Sequence, residues 1–593
     1  MKRLIFLFFF ITTIVSGQEI HHKLSMPEPE THYFHVELEL ISFSEEELIL
    51  SLPTWAPGSY LIREFSKNID LVRAENQKGK ALPIEKVAKN KWKITKSPKE
   101  NVTVKYEYYA FELTVRTSFL DLTHGYLNGT NLFMYPEGYK ELGGKLTVTP
   151  YEGFEHISTA LPKLKEGVQS DDRSETFLFR DYDHLGDSPI EIGNHELFSF
   201  DAAGVKHTVA IYGSGNYNVE RLKVDMAKIV EASTDIFGFN PNKEYLFIIH
   251  NTQVGSGGLE HLESTTLNVN RWTYEGSDYL RFLSLVAHEY FHLWHVKRIR
   301  PYVLGPFDYD AENYTDLLWV MEGFTSYYDE LILRRAGFYT EEEYLSKLMS
   351  TLNYVEGTIG NKVQPVAHSS FDAWIKAYRP NENSSNTTIS YYSKGHLVCA
   401  VLDAMMMKKY KGKKGMDDFL RLLYEKYYTK ESRGFTEAEF QNELEQFTAQ
   451  DLTQFFEDHI YGTKTIDYAS YFKDLGLDIE MVEGKIQAFG VSTTMKEGKL
   501  MVRSVSRGSA AEKAGLSPDD EIIAYNGYRV DQTSFRKFMD GLEVGDEFIL
   551  IIARGDELMV INADMGMIDA VRYTYELDKD HKIAKYWLRQ TVN

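Results

Sequence analysis

The sequence predicts a multidomain α+β protein with a β-sandwich-like N-terminal domain, a middle domain that ends in a helical extension, and a small β-rich C-terminal domain. At 593 residues, the chain is too long for one hydrophobic core. Short alternating runs recur in residues 20–197, helix-like apolar stretches occupy residues 277–459, and strands between glycine-containing turns fill residues 485–565. The predicted domains are residues 18–200, 201–475 and 480–568.

Composition places the chain among globular proteins and narrows its partners. Hydrophobic residues make up 43% of the chain and aromatic residues 14%, as in folded proteins. The 65 Lys and Arg residues are outnumbered by 87 Asp and Glu residues, which gives a formal net charge of -22. This acidic balance argues against nucleic acid or an anionic membrane surface as a partner.

Residues 1–17 have the pattern of a cleavable signal peptide. Lys2 and Arg3 precede an apolar run over residues 4–15, and Val15-Ser16-Gly17 supplies the small residues of a cleavage site. The apolar run is shorter than the roughly 20 residues that a membrane span needs. We expect an exported protein with no transmembrane segment after cleavage.

The chain contains one cysteine, Cys399, so it must fold without an internal disulfide. Its apolar neighbours predict a small core residue rather than a nucleophile. Export without disulfides favours a bacterial periplasmic or secreted protein over a eukaryotic extracellular one.

The N-terminal domain is predicted from alternating runs such as residues 35–40 and 102–108. Within it, residues 53–63 are rich in aromatic and turn-forming side chains. Two interpretations of this segment stay open: a buried turn that packs on the next domain, or a contact with a substrate.

The middle domain begins with a predicted helix at residues 219–236 and a buried strand at residues 244–250. The loop Gly255-Ser256-Gly257-Gly258-Leu259-Glu260-His261 then leads into an alternating run that ends at residue 270. A glycine-rich loop before an edge strand lets a peptide backbone approach and pair with it, which makes Gly257, Gly258 and His261 candidate substrate-binding residues. An ordinary surface loop is the alternative.

The segment His288-Glu289-Tyr290-Phe291-His292 lies in a helix predicted from Ser277, as its N-cap, to Arg298. Residues four apart share one face of a helix, so both imidazoles can bind one metal ion. Two neutral imidazoles suit Zn²⁺, and Glu289 beside them can take a proton from the water that attacks a carbonyl. The alternative is a helix that carries two histidines by chance.

A third ligand is expected from the next helical stretch, residues 316–328. Glu322 interrupts its apolar surroundings, and a buried carboxylate is costly unless it is paired or bound to a metal. A salt bridge of Glu322 to a helix neighbour, or His295 as the third ligand, are the alternatives. Two histidines and one glutamate leave a fourth position open, which predicts one catalytic zinc ion.

Tyr392 lies at the start of another apolar helix, predicted over residues 391–407. At that position its hydroxyl could donate a hydrogen bond to an oxyanion, although an isolated tyrosine is more often a core residue.

The C-terminal domain contains a loop, Phe489-Gly490-Val491, beside a predicted strand and helix. Exposed amides in such a loop can bind a peptide carboxylate and let the peptide join the sheet as a strand. The remaining residues, 569–593, form a tail that is too short to be a domain.

Taken together, these segments resemble the glycyl aminopeptidase family of bacterial zinc peptidases, which belongs to the thermolysin-like gluzincins. The resemblance spans nearly the whole mature chain. The segments that carry it are Trp55-Ala56-Pro57-Gly58-Ser59-Tyr60, Gly257-Gly258-Leu259-Glu260-His261, His288-Glu289-Tyr290-Phe291-His292, Trp319-Val320-Met321-Glu322-Gly323, and residues 485–565, which look like the family's PDZ domain.

The resemblance implies a thermolysin-like catalytic domain with a helical extension, followed by a PDZ domain. It implies that Glu322 is the third zinc ligand, that Glu260 holds the free α-amino group of the substrate, and that Tyr392 stabilises the oxyanion. One departure is the 29 residues between His292 and Glu322, a longer gap than in better-known gluzincin aminopeptidases.

We therefore expect a zinc-dependent aminopeptidase that acts on peptides with a free N-terminal residue, with glycine or alanine preferred, and a possible second peptide site for a C-terminus at the PDZ domain. Two alternatives remain: an endopeptidase with the same zinc site, in which Glu260 is structural, and a PDZ-centred peptide-binding protein with an inactive peptidase domain.

Overall fold

The computed structural model describes residues 17–164, 173–255 and 257–592. The predicted signal peptide lies outside the described residues, apart from Gly17. The chain forms two compact units. The first contains Met1–Ser59, Arg63–Leu197 and Val209–Tyr212, and the second contains Tyr60–Ile62, Phe198–Thr208 and Gly213–Asn593.

The regular secondary structure of the first unit is mainly strands, which confirms the β-rich N-terminal domain. They are β1 (Glu19–Ser25), β2 (Tyr33–Ile41), β3 (Glu47–Ser51), β4 (Ile69–Asn76), β5 (Ala81–Leu82), β6 (Ile84–Ala88), β7 (Lys91–Thr95), β8 (Val102–Tyr109), β9 (Phe119–Leu120), β10 (His124–Leu127), β11 (Tyr135–Pro136), β12 (Gly144–Thr149), β13 (His156–Thr159), β14 (Glu175–Phe179) and β15 (Ile190–Gly193), with the short helices α1 (Gly129–Leu132) and α2 (Tyr182–Gly186).

The strands of the first unit form one larger and two smaller sheets. The larger sheet has the order β14-β12-β1-β2-β8-β4-β5, and the smaller ones are β13-β15-β10-β9 and β11-β3-β7-β6. In β2, alternate residues are buried, as the alternating sequence predicted. The antiparallel pairing of β2 with β1 and β8 follows this alternation, since a shift by one residue would turn every apolar side chain to the other face.

The second unit starts with strands and continues mainly as helices. The strands are β16 (Glu196–Ala202), β17 (Val205–Tyr212), β18 (Glu244–Thr252), β19 (Gly258–Glu260) and β20 (Ser264–Asn270). The first two residues of β16 and the last four of β17 are assigned to the first unit. The helices are α3 (Val219–Phe237), α4 (Gly276–Phe291), α5 (Leu318–Arg335), α6 (Glu341–Gly357), α7 (Val366–Phe371), α8 (Ser384–Thr387), α9 (Tyr391–Lys409), α10 (Met416–Leu423), α11 (Glu437–Thr448), α12 (Thr453–Phe455) and α13 (Tyr468–Phe472).

Helix α4 carries the His288–His292 motif and ends earlier than the sequence predicted. It begins at Gly276, but its last residue is Phe291 rather than Arg298. His292 is the C-cap, and its ring Nδ1 bonds to the carbonyl oxygen of His295 at 2.8 Å. The carbonyl oxygen of His295 can reach this ring only where the backbone has left the helical hydrogen-bond pattern. The turn that follows places Val296 at φ 109.

Helices α5 and α9 cross with their backbones in close contact at two glycines. A Cβ atom on Gly323 would lie 2.4 Å from the Cα atom of Gly395, and one on Gly395 would lie 2.2 Å from the carbonyl oxygen of Trp319. Larger residues would push the helices apart at this point. The crossing brings Glu322, beside Gly323, and Tyr392, one turn before Gly395, into the same region.

The C-terminal part of the second unit contains the PDZ domain. The elements of this C-terminal part, within and around the PDZ domain, are β21 (Leu477–Gln487), β22 (Val491–Lys496), β23 (Lys499–Val505), α14 (Ala510–Lys513), β24 (Glu521–Tyr525), β25 (Tyr528–Arg529), α15 (Gln532–Asp540), β26 (Glu547–Arg554), β27 (Glu557–Asp564), β28 (Met567–Leu577) and α16 (Lys582–Trp587). The PDZ sheet has the order β22-β23-β24-β26-β27, and β25 pairs with β24. Phe489, Phe535 and Phe548 lie in its core.

The segment after the PDZ domain returns to the helices of the second unit. Strand β28 pairs with β21 along their whole length, from Leu477 opposite Leu577 to Gln487 opposite Met567. The indole Nε1 of Trp587 then donates to the hydroxyl of Tyr327 on α5 at 2.8 Å. In the part of the chain that the structure describes, no helix combines the length and the apolarity that crossing a bilayer requires.

Candidate active site

The strand β19 lies at the edge of a sheet and presents Glu260. It pairs antiparallel with β20, which in turn pairs parallel with β18. Glu260 is only 5% exposed, so its carboxylate points into the protein rather than into solvent. His261 closes the turn after the strand, where its backbone N–H donates to the Ser264 carbonyl at 2.9 Å.

The two histidines of α4 are held through their Nδ1 atoms. His288 Nδ1 lies 2.9 Å from the Asp329 carboxylate, and His292 Nδ1 lies 2.8 Å from the carbonyl oxygen of His295. A carboxylate and a carbonyl accept hydrogen bonds, so both Nδ1 atoms carry the proton. The lone pairs of both Nε2 atoms are left for a metal, an arrangement common to histidine ligands.

Glu322 of α5 completes the set of candidate metal ligands. Its Oε2 lies 3.4 Å from His288 Nε2 and 3.3 Å from His292 Nε2. The ligand atoms of the three residues lie within 4.8 Å of one another. The pKa of Glu322 is lowered: burial opposes ionisation, but the imidazoles of His292 and His288 outweigh it. Two imidazole nitrogens and one ionised carboxylate fit Zn²⁺ and leave room for a further ligand.

Glu289 lies beside this ligand set. Its side chain is buried, and burial raises its pKa, with Glu260 acting in the same direction and the two histidines against it. Glu260, Glu289 and His292 form a second group whose ligand atoms lie within 4.8 Å of one another. Gly258 makes this closeness possible, since a Cβ atom on it would lie 2.3 Å from Glu289 Oε1.

Tyr392 lies at the first turn of α9, where Ser390 is the N-cap. Its ring is 6.2 Å from the ring of His288, with the two planes 28° apart. Burial raises the phenol pKa well above its usual value, and the negative charge of Glu322 raises it further. The phenol therefore keeps its proton at neutral pH and can donate a hydrogen bond.

Several predicted residues lie away from this cluster or act differently. The ring of His295 contacts Thr325 Oγ1 at 3.1 Å, and only its backbone carbonyl takes part, so the structure places Glu322 and not His295 among the ligand atoms. The backbone carbonyl oxygen of Gly257 accepts a hydrogen bond from the backbone N–H of Asn268 at 2.9 Å. Phe489 has a buried side chain in the PDZ core.

One residue of the site, Asp329, was not predicted. It lies on α5, two turns after Glu322, so helical periodicity from the proposed ligand would have indicated it. Tyr60, in the segment for which the sequence left two interpretations open, is buried in the second unit. Its pKa is raised well above the usual value by burial and then by the charges of Glu322 and Glu260.

Comparisons with known proteins indicate the family of the chain. Sequence models match the chain for the Peptidase M61 N-terminal domain at residues 21–194, the M61 glycyl aminopeptidase at residues 281–398, and a PDZ domain at residues 487–564. No curated protein matches the chain in sequence.

The solved structures that are similar to the chain include one at 31% identity and others that are more distant. The aminopeptidase N family protein from Idiomarina loihiensis is 31% identical, with a TM-score of 0.89 over 96% of this chain and 100% of that one. The M1 zinc metallopeptidase from Deinococcus radiodurans is 14% identical, with a TM-score of 0.51 over 76% of this chain and 96% of that one, and it shares the fold. As its sequence predicted, the chain belongs to the M61 glycyl aminopeptidase family of metallopeptidases.

Proposed function

We propose that the protein is a zinc-dependent aminopeptidase that removes a small N-terminal residue, glycine or alanine, from peptides. The observation that carries this proposal is the position of the Glu260 carboxylate. It lies within 4.8 Å of Glu289 and His292, directly beside the proposed metal ligands. A carboxylate at that distance can pair with an α-ammonium group while the adjacent carbonyl reaches the metal.

His288, His292 and Glu322 would hold one zinc ion. When bound, zinc polarises the scissile carbonyl and lowers the pKa of a water molecule at the site. Asp329 and the His295 carbonyl keep both imidazoles in the tautomer that offers Nε2.

Glu289 takes the proton of the attacking water and transfers it to the leaving amine. Its raised pKa suits both halves of this task, because the carboxyl must accept a proton and then release it near neutral pH. The phenol of Tyr392 donates a hydrogen bond to the oxygen on which negative charge develops. Glu260 fixes the N-terminus of the substrate and thereby selects the first peptide bond.

A comparison of free and N-acetylated substrates tests the proposal, with wild-type enzyme and Glu260→Ala assayed for zinc content and activity. We expect the wild type to cleave only the free peptide, and Glu260→Ala to lose this activity while it keeps zinc. Cleavage of both substrates at equal rates by both proteins would instead identify an endopeptidase in which Glu260 is structural.

For the PDZ domain we propose a second peptide site at Phe489-Gly490-Val491. The carbonyl oxygens of Phe489 and Gly490 accept from the amides of Ala511 and Ser506 at 2.9 and 2.8 Å. Within each planar peptide the N–H points opposite to the C=O, so the amides of Gly490 and Val491 point to the other side of the loop. A carboxylate there would bind two amides. Equal affinity for free and C-terminally amidated peptides in a fluorescence titration would refute this site.

A further inference from the structure

A buried ion pair, outside the cluster of candidate ligands, joins the helix that carries Tyr392 to three other segments. Lys394 Nζ of α9 donates to Glu356 Oε1, near the end of α6, at 3.3 Å. Lys394 is 4% exposed and Glu356 is 5% exposed. The Tyr468 hydroxyl of α13 donates to the same Oε1 at 2.8 Å, and Asn361 Nδ2 donates to Oε2 at 3.1 Å. The pair therefore connects α9 to α6, to α13 and to the short 3₁₀ helix that contains Asn361.

A gain in stability is a weak explanation for this pair. Two opposite charges lose their hydration when they are buried, and their attraction often returns no more than that loss, so apolar residues of similar size can hold a fold equally well. An ion pair differs from an apolar contact in being directional. The ammonium group of Lys394 is satisfied only where the Glu356 oxygen lies. The pair is therefore better explained by the position that it gives to α9.

The place of Lys394 in the first turn of α9 connects the pair to Tyr392. Residues two apart on a helix differ in direction by about 200°, so Lys394 and Tyr392 project to nearly opposite sides of this turn. On one side the ring of Tyr392 lies 6.2 Å from the ring of His288, and on the other side Lys394 reaches Glu356. Helix ends fray most readily. The N-cap residue Ser390 holds this turn from within, and Lys394 ties it to α6 from outside.

We propose that Lys394, held by Glu356, is a positioning residue that places the Tyr392 phenol where negative charge develops on the substrate oxygen. Without the pair, the first turn of α9 can shift. A shift of about 1 Å at a reacting group costs about 10² in rate. The loss falls on kcat, because a hydrogen bond made only in the transition state does not contribute to substrate binding. This inference rests on the role of Tyr392 in the proposed function.

The test removes both charges together, so that neither is left buried alone. Lys394→Met keeps an unbranched side chain, and Glu356→Gln keeps an oxygen for the Tyr468 hydroxyl. This paired variant should bind zinc as the wild type does and unfold at a similar temperature. Its kcat for a glycyl anilide, expressed per bound zinc, should fall by about 10² with little change in KM. Normalisation to bound zinc keeps the comparison valid if part of the preparation is unfolded.

A double-mutant cycle shows whether Lys394 acts through Tyr392. Tyr392→Phe removes the donor hydroxyl and should lower kcat by about 10²–10³. In that background the paired change should lower kcat by no more than about twofold, because the interaction that it disturbs is already absent. A purely structural role would lower kcat by the same factor in both backgrounds. If the paired variant does not fold, Lys394→Met alone takes its place in the same cycle, with the same expected results.

Lys426→Met with Glu443→Gln is the matched control. Lys426 Nζ lies 2.6 Å from Glu443 Oε1, and the Tyr427 hydroxyl donates to the same oxygen at 3.4 Å. This is again a lysine and a tyrosine on a buried glutamate, but the group includes no residue of α9. The control should keep the wild-type kcat.

Equal losses of kcat in the wild-type and Tyr392→Phe backgrounds would overturn the inference. Wild-type kcat in the paired variant, or an equal loss in the control, would also overturn it. Full activity of Tyr392→Phe would do the same, because there would be no donor to position.

Failure of this inference is distinguishable from failure of the proposed function. If wild type cleaves free glycyl peptides but not acetylated ones, and the cycle is additive, the aminopeptidase function stands and the role of Lys394 is wrong. If wild type cleaves acetylated and free peptides equally, the selection of the N-terminus by Glu260 fails. A non-additive cycle would then still support the role of Lys394, since the oxyanion forms in either reaction.

Discussion

Two carboxylates, Glu260 and Glu289, share one small volume beside His292, and a glycine sets the shape of that volume. Gly258 lies two residues before Glu260 on β19, and its backbone packs directly against the side chain of Glu289. The edge strand therefore fixes both the proposed ammonium partner and the proposed general base. A single methyl group at residue 258 would disturb the second of these.

Gly258→Ala should lower kcat by about 10² or more, because loss of a positioned general base costs about 10²–10⁴ in rate. The added Cβ would lie 2.3–2.5 Å from Oε1, Cδ and Cγ of Glu289, so the side chain must move. Zinc content should stay at the wild-type level, since His288, His292 and Glu322 are not displaced. Steady-state kinetics and metal analysis of the same preparation measure the two quantities.

Gly484→Ala is the matched control for this change. Gly484 also lies in a strand, β21, and a Cβ atom on it would meet nothing within 4 Å. The control should retain wild-type kcat. Full activity of Gly258→Ala would show that Glu289 does not need its present position, and it would count against Glu289 as the base.

At this scale, the parts of the site that depend on local spacing could be predicted, and the parts that depend on tertiary contacts could not. The spacing of His288 and His292 follows from helical periodicity alone. The contact of Asp329 with His288 joins residues 41 positions apart, on two helices. Helical periodicity from Glu322 points to Asp329, but nothing in the sequence indicates that His288 is its partner.

Among the elements, the pair α5 and α9 determines how Glu322 and Tyr392 are placed. Their contact at Gly323 and Gly395 is tighter than ordinary side-chain packing allows. Gly323 directly follows Glu322, and Gly395 lies three residues after Tyr392, so each glycine is close to a proposed site residue. In each helix, a proposed functional side chain and a point of close approach therefore lie within one turn.

Gly395→Ala should separate the two helices and reduce kcat by about 10², the cost of a misplacement of about 1 Å at a reacting centre. Overpacking should also destabilise the fold by about 1–3 kcal/mol. Gly357→Ala is the control, since Gly357 is exposed at the end of α6 and a Cβ atom there meets nothing within 4 Å. Thermal unfolding and kinetics measured together check both effects. Wild-type kcat in Gly395→Ala would mean that the crossing does not set the position of Tyr392.

Element boundaries show where sequence patterns stop being sufficient. The apolar periodicity of α4 continues past Phe291, so it predicted a helix to Arg298. The helix ends at Phe291, and the ring of His292 then contacts the carbonyl oxygen of His295, a contact that apolar periodicity does not indicate. For strand β2 and helix α9, the patterns predicted the bounds closely.

At the scale of the whole molecule, the PDZ domain is inserted into the catalytic unit. The chain leaves the helices through β21, forms the PDZ sheet, and returns through β28 to α16. Trp587 is 1% exposed, and the backbone amide of Thr591 donates to the Arg335 carbonyl at 2.9 Å, at the end of α5. The sequence predicted the tail only as a short remainder, because its partners lie more than two hundred residues earlier.

The insertion predicts that the PDZ domain is easier to remove than the tail. Gln487 and Met567 lie opposite each other in the ribbon, so an Asn-Gly turn can replace residues 488–566 and close a hairpin. We expect this variant to fold and to cleave short glycyl substrates at nearly the wild-type rate. Asn386 loses its hydrogen bonds to Val505 and Arg507, and water can replace them.

Deletion of residues 579–593 removes far fewer residues but should be more damaging. It removes Trp587 from its place against Tyr327, and loss of a buried tryptophan costs about 3–5 kcal/mol. Because Tyr327 lies on α5 between Glu322 and Asp329, the loosened helix should also bind zinc more weakly. Thermal unfolding, zinc retention during dialysis against a chelator, and hydrolysis of a glycyl dipeptide compare the two variants. If the tail deletion unfolds at the wild-type temperature while the PDZ excision loses hydrolysis, the PDZ domain and not the tail supports the catalytic unit.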